Sequence, residues 1–217
     1  MHKPKLTYTP FEVKKSWDFS VLLDPIQKIE QRVKKIEELS VHLQAVPKTV
    51  FYFESDVLLM KQQRVMKIKK EFSESLKIAF HNLAKDLDAL TQFNIVHWDL
   101  CPKNILFDGT QCWLIDWEPS FLQLRNNRKC KMITFPYFAP LEINKADLTQ
   151  LSDKVSFVMA LIKIAENRRM APQEIVYYQE LSQKLNFEEL FENYAAGTKK
   201  IPKRNQSETY FELYVIK

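Results

Sequence analysis

Glycine is almost missing from this 217-residue chain, which carries only Gly109 and Gly197. A loop that folds its backbone around phosphates needs several glycines, so a GxGxxG or GxxxxGK loop is excluded. Cysteine is scarce as well: Cys101, Cys112 and Cys130 form no CxxC pair, which argues against a disulfide framework or a cysteine zinc site and for a reducing compartment. The four histidines have no close spacing and offer no metal motif. Residues 1–8 lack the apolar core of a secretory signal, and no stretch approaches the roughly 20 apolar residues that span a bilayer. A soluble, cytoplasmic protein without a transmembrane segment is expected. Low-complexity tracts and internal repeats are also lacking.

What is present favours a folded chain, since 46% of residues are hydrophobic and the 27% that are charged are of mixed sign. The length suits one compact domain over 1–217, divided into a reduced N-terminal lobe (1–63) and a larger C-terminal lobe (64–217). The net charge of +5 is too small, without a clustered basic face, to imply a nucleic-acid partner.

Asp24-Pro25 supplies an N-cap and a first-turn proline, and Ile26, Ile29, Val33, Ile36 and Leu43 then recur at helical spacing, predicting a helix over about 25–44. Val50–Phe53 and Val57–Met60, joined by Ser55-Asp56, predict a hairpin of two buried strands. Phe72, Leu76, Ala79, Phe80, Leu83, Leu87 and Leu90 mark a second long helix. Ile105–Phe107 and Cys112–Ile115 flank Asp108-Gly109-Thr110, a second tight hairpin. Ser152-Asp153 opens a helix apolar nearly all round, and so buried; further helices are expected at about 172–184 and 186–195. Lys199–Arg204 reads as a basic linker before a terminal strand at Tyr210–Ile216.

The second hairpin brings two polar runs to its ends: His97-Trp98-Asp99-Leu100-Cys101-Pro102-Lys103-Asn104, and Asp116-Trp117-Glu118 beginning twelve residues after Asn104. These residue types suit phosphoryl transfer. That chemistry needs a carboxylate to orient or deprotonate an attacking hydroxyl, and oxygen ligands that hold Mg²⁺ against phosphates. Asp99 can fill the first role, Asn104 and Asp116 the second.

In order and spacing, HWDLCPKN and DWE resemble the protein-kinase catalytic loop H-R-D-L-x-x-x-N and the metal-binding D-F-G. Thr134–Glu142 resembles the end of an activation segment, with one residue inserted into A-P-E, and Ser152–Phe157 resembles the start of the helix whose aspartate braces the catalytic loop. The resemblance implies an α+β, bilobal, protein kinase-like fold and an ATP- and Mg²⁺-dependent kinase. It makes Asp99 the base, Asn104 and Asp116 the metal ligands, and Lys103 a basic residue near the transferred phosphate. It further implies a strand around Val13-Lys14-Lys15 with Lys14 as the phosphate-binding lysine, Glu30 or Glu37 as its ion-pair partner, and Met60-Lys61-Gln62-Gln63, leaving the second strand of the hairpin, as the segment whose backbone meets adenine.

The departures open alternatives. Trp98 replaces the arginine that meets a phosphorylated activation loop, and Asp116-Trp117-Glu118 is similar to the form in aminoglycoside phosphotransferases. A Ser/Thr kinase of protein substrates is implied first, through the Thr134–Glu142 segment. A small-molecule or lipopolysaccharide-sugar kinase is the first alternative, and a pseudokinase that only binds partners the second. A short kinase without internal regulation also suits an effector delivered into another cell.

Overall fold

The computed structural model describes residues 5–21, 25–65, 73–92, 96–97, 99–117 and 150–197. Trp98, Glu118, Thr134–Glu142, the basic run at 199–204 and the segment 210–216 lie outside them.

Four antiparallel strands build the N-terminal sheet: β1 (Lys5–Tyr8), β2 (Glu12–Asp18), β3 (Thr49–Glu54) and β4 (Val57–Gln63), in the order β1-β2-β4-β3. Pairing sets Leu6, Lys15, Met60 and Phe51 in one row across the sheet, and Tyr8, Val13, Gln62 and Thr49 in the next. Directly opposed residues share a face, so these two rows line one side of the sheet. That side is the buried one at Lys15, Trp17, Phe51, Leu58, Met60 and Gln62.

Helix α1 (Ile26–His42) crosses between β2 and β3, burying Ile29, Val33, Ile36 and Leu39 along one stripe, as the helical spacing requires. Pro25 stands at its N-cap; Asp24 lies outside the described residues. The β3–β4 hairpin is half-buried, not doubly buried: Val50 and Tyr52 remain 46% and 40% exposed while Phe51 faces inward. Its turn carries Ser55 at φ 47°, a left-handed conformation that a two-residue loop demands.

The helical half consists of α2 (Glu74–Gln92), α3 (Gln150–Ala165), α4 (Pro172–Ser182) and α5 (Phe187–Ala195), with the short hairpin β5 (Ile105–Phe107) and β6 (Cys112–Leu114) against it. Phe157 of α3 stands between Phe80 of α2 and Phe187 of α5, with ring centroids 6.1 and 5.8 Å away. Phe80 and Phe157 are fully buried, and each such side chain stabilises the packing by about 2–3 kcal/mol. Among the described residues no helix is long and apolar enough to cross a membrane.

Ala45, in the loop after α1, joins the two halves through its backbone. Its N–H donates to Asp86 Oδ2 of α2 at 2.6 Å, and its carbonyl accepts the Leu114 N–H of β6 at 2.7 Å.

Candidate active site

The β5–β6 hairpin positions the polar runs. Gly109 takes φ 105° in its turn, and Asp108 accepts the Thr110 and Gln111 N–H groups and the Trp113 Nε1–H, so the turn is closed by one carboxylate. Burial is the largest single influence and raises the Asp108 carboxyl, but the bonds from Gln111, Trp113 and Thr110 together outweigh it and hold the group well below the usual carboxylate range, at about 2. At the open end, the Ile115 N–H donates to the Asn104 carbonyl at 2.9 Å, tying the loop before β5 to the segment after β6.

His97 anchors that loop from inside. Its backbone N–H donates to Asp153 Oδ2 of α3 at 2.5 Å, its Nε2 bonds the Ile115 carbonyl at 2.9 Å, and its Nδ1 accepts the Asp99 N–H at 3.2 Å. Nδ1 as acceptor and Nε2 as donor define the neutral imidazole, and burial accordingly pulls the pKa down to about 4. Trp117, buried, meets His97 edge-on at 4.5 Å and donates its Nε1–H to the Leu114 carbonyl. His97 and Asp153 therefore set the geometry of the loop rather than face solvent.

Asp99 and Asn104 interlock. Asn104 Nδ2 donates to the Asp99 carbonyl at 2.8 Å and to Asp99 Oδ2 at 2.9 Å. With both amide protons aimed at Asp99, Oδ1 of Asn104 is turned the other way. Burial pushes the Asp99 carboxyl up, and the charge of Asp116 adds to this, while Lys103 and the Asn104 bond oppose it. Lys103, exposed on the same loop, places Nζ 3.6 Å from Asp99 Oδ2. Burial pulls its pKa down, but Asp99, Cys101 and Asp116 outweigh that and leave it raised. Cys101 is a buried thiol held at about 11 by desolvation and the neighbouring Asp99 charge, which disqualifies it as a nucleophile at neutral pH.

Asp116 has φ 63°. An L-residue in this region carries a cost of about 1–2 kcal/mol, least for Asp and Asn. The turn aims its carboxylate at the sheet, where Oδ1 receives Lys15 Nζ at 2.5 Å. The Lys15 side chain is 10% exposed and that of Asp116 39%, so the pair spans the boundary between the buried sheet face and an open cleft.

The structure places the two adjacent lysines on opposite faces of β2, with Lys15 and not Lys14 beside Asp116. Lys14 points to the opposite face of β2, is 43% exposed at its side chain, and has Glu12 at 3.9 Å. Strand alternation puts Lys15 with Val13 and Trp17, and the apolar character of those two neighbours is the sequence signal that identifies the inward lysine. Glu37, offered as an ion-pair partner, accepts the Phe51 N–H at 2.6 Å and so ties α1 to β3; Glu30 lies half-buried one position after Ile29. The expected adenine segment lies at the end of an inner strand. Met60 and Gln62 belong to β4, which has β2 on one side and β3 on the other, so their backbone groups are committed to two ladders. Gln62 buries its amide, donating Nε2–H to Thr49 Oγ1 at 3.1 Å. The chain leaves this ladder after Gln63, whose N–H bonds the Lys48 carbonyl, and Arg64 next packs over the Tyr8 ring. Strand β1 was not anticipated; its Leu6 and Tyr8, 48% and 60% exposed, flank Lys15 and Val13 on the cleft face.

The arrangement brings Asp99, Asn104, Asp116, Lys103 and Lys15 together, combining carboxylates, a carboxamide oxygen and two ammonium groups. Oxygen donors at Asp116 and Asn104 Oδ1 fit a hard divalent cation such as Mg²⁺, and the ammonium groups fit an anionic ligand.

No curated protein matches this chain. Among solved structures, the Cydia pomonella granulovirus kinase PK-1 is similar, with a TM-score of 0.56 over 76% of this chain and 68% of that one, at 15% sequence identity. That likeness establishes the fold as bilobal, α+β and protein kinase-like. The family model for the RIO domain matches residues 14–133. More than half of the sequence lies within that match, and the chain belongs to the RIO domain family of atypical protein kinases.

Proposed function

We propose that this chain is an ATP- and Mg²⁺-dependent phosphotransferase that phosphorylates a serine or threonine hydroxyl of a protein. The observation that carries the reading is the Lys15–Asp116 pair, which joins the sheet to the end of the β5–β6 hairpin beside Asp99. A structural ion pair needs no further polar residues around it. This one stands beside the buried Asp99 and Asn104 and the exposed Lys103, a concentration of polar groups that suits a charged ligand.

Asp99 is the base. Its raised pKa and its bond to Asn104 leave a carboxylate oriented to receive the proton of an acceptor hydroxyl. Lys15 binds the phosphates in place of the Lys14 expected from the sequence, and Lys103, long and exposed, neutralises charge on the transferred group. Asn104 Oδ1 and Asp116 would hold Mg²⁺, which supplies charge neutralisation of the triphosphate when bound. Leu6 and Tyr8 offer an apolar surface for the base next to Val13.

A protein acceptor is favoured by the Thr134–Glu142 segment and its resemblance to a peptide-binding platform. The test is labelling from γ-³²P-ATP with a peptide library and a parallel panel of sugars and aminoglycosides. Wild type is expected to label Ser/Thr peptides, and Asp99→Asn to lose labelling while keeping its melting temperature. Equal labelling by Asp99→Asn removes the assignment of the base, and labelling confined to the sugars removes the protein acceptor.

A further inference from the structure

Outside the cleft, α2 and α5 bring three further ligating groups together. His81 of α2 and Glu188 and Glu192 of α5 each offer one ligand atom, and these atoms all lie within 4.8 Å of one another. His81 lies more than a hundred positions from the two glutamates in sequence, which is why histidine spacing along the chain gave no sign of the cluster.

From this cluster we infer a Zn²⁺ site, with His81, Glu188 and Glu192 as protein ligands and water completing the sphere. The donor set is one imidazole and two carboxylates, the combination suited to zinc rather than to magnesium or calcium. Glu188 and Glu192 are four residues apart on α5, so they project from adjacent turns of one face. Phe191, between them in sequence, stacks on the His81 ring at 5.5 Å and 9°, which fixes the plane of the imidazole. His81 Nε2 already stands 2.8 Å from Glu188 Oε1.

The two helices are held in register independently of any ion. Asp88, two turns after His81 on α2, accepts the N–H groups of Phe187 and Glu188 at 2.8 and 2.9 Å. The donors are therefore positioned before metal arrives, which lowers the ordering cost of binding. One group competes: Lys85 Nζ lies 3.5 Å from Glu188 Oε1, but its side chain is 52% exposed and can leave to solvent. With that lysine present, two glutamates and one ammonium leave a net negative patch for a dication.

A simple His–Glu–Lys ion-pair network and a zinc site respond oppositely to one substitution. Lys85→Gln weakens the network but removes the competitor for the metal, so it is expected to tighten Zn²⁺ binding. The experiment is Zn²⁺ titration of the untagged full chain by calorimetry and by thermal shift, in excess Mg²⁺ so that oxygen sites in the cleft are not counted. Wild type is expected to bind one equivalent and to melt at higher temperature with Zn²⁺. His81→Gln and Glu192→Gln should each lose about tenfold or more in affinity. Glu192 is exposed, so its variant reports on the metal even if the His81 variant folds poorly. The site is overturned if wild type shows no Zn²⁺-dependent shift, if Glu192→Gln binds as well as wild type, or if Lys85→Gln weakens binding. Phosphotransfer plays no part in these readouts, so failure of the catalytic reading leaves them intact.

Discussion

Replacing Lys15 by Met separates the two adjacent lysines of β2 most sharply. Met keeps the length and apolar stem of the side chain, which runs beside Met60, and deletes only the charge. At 2.5 Å and an effective dielectric of about 20, the attraction between Lys15 and Asp116 is about 7 kcal/mol. Desolvation of a nearly buried ammonium offsets most of it, so the net effect on folding should be about 1 kcal/mol or less, since Asp116 remains open to water. Activity should respond far more. A fixed cation at the phosphates acts where charge develops, and its loss is expected to lower kcat/KM by about 10²–10³-fold. Lys14→Met deletes an exposed ion pair to Glu12 and should change stability and rate by under about 1 kcal/mol. Steady-state labelling from γ-³²P-ATP, run beside thermal denaturation of both variants, supplies the comparison. Similar losses in the two variants, or full activity in Lys15→Met, would refute the placement of the nucleotide on this face of the sheet.

Further outcomes follow from the same geometry. Asp153→Ala strands the buried His97 N–H and should destabilise by about 1–3 kcal/mol in urea titration; a change under about 0.5 kcal/mol would show that the bond does not brace the loop. His97 stays neutral in the fold down to about pH 4, whereas the unfolded chain takes up its proton below 6.5. Its pKa is depressed on folding, so stability is lost as pH falls from 6.5 to 4, at up to about 1.4 kcal/mol per pH unit. Denaturation of His97→Gln across that window should show a flatter slope, and an unchanged slope contradicts the burial argument. Ser55→Gly relieves a left-handed turn residue and should raise stability by about 0.5–1 kcal/mol; a lower melting temperature would mean that the hydroxyl has a role in the hairpin.

The helices were legible because their apolar residues recur at a period that only a helix can bury on one side. Ile29, Val33 and Ile36 are an instance, and Phe80 with Leu83 and Leu87 another. The β5–β6 hairpin was equally legible, since Asp108-Gly109 can hardly be anything but a turn. Its tightness also brings the runs around Asp99 and Asp116 to one locus. Strand β1 was hidden, for it is exposed at all four positions and lacks the buried alternation that marks a strand. Which lysine of β2 faces inward is legible through strand alternation, because Val13 and Trp17 share a face with Lys15 and not with Lys14. That Met60 and Gln62 lie in an inner strand was not legible, for a topological reason. Which strand lies in the middle of a sheet is decided by pairing with distant residues, and local sequence does not record it.

Ala45 has a mechanical consequence. Its N–H is gripped by a carboxylate from one helix and its carbonyl by the amide of a strand leading into Asp116, so this one residue cannot slide relative to the lower half of the molecule. These two bonds make the loop after α1 a fixed point between the halves, and a tilt of the sheet about it would change the gap between Lys15 and Asp116, whereas the loop around Asp99 is fastened to α3 through Asp153.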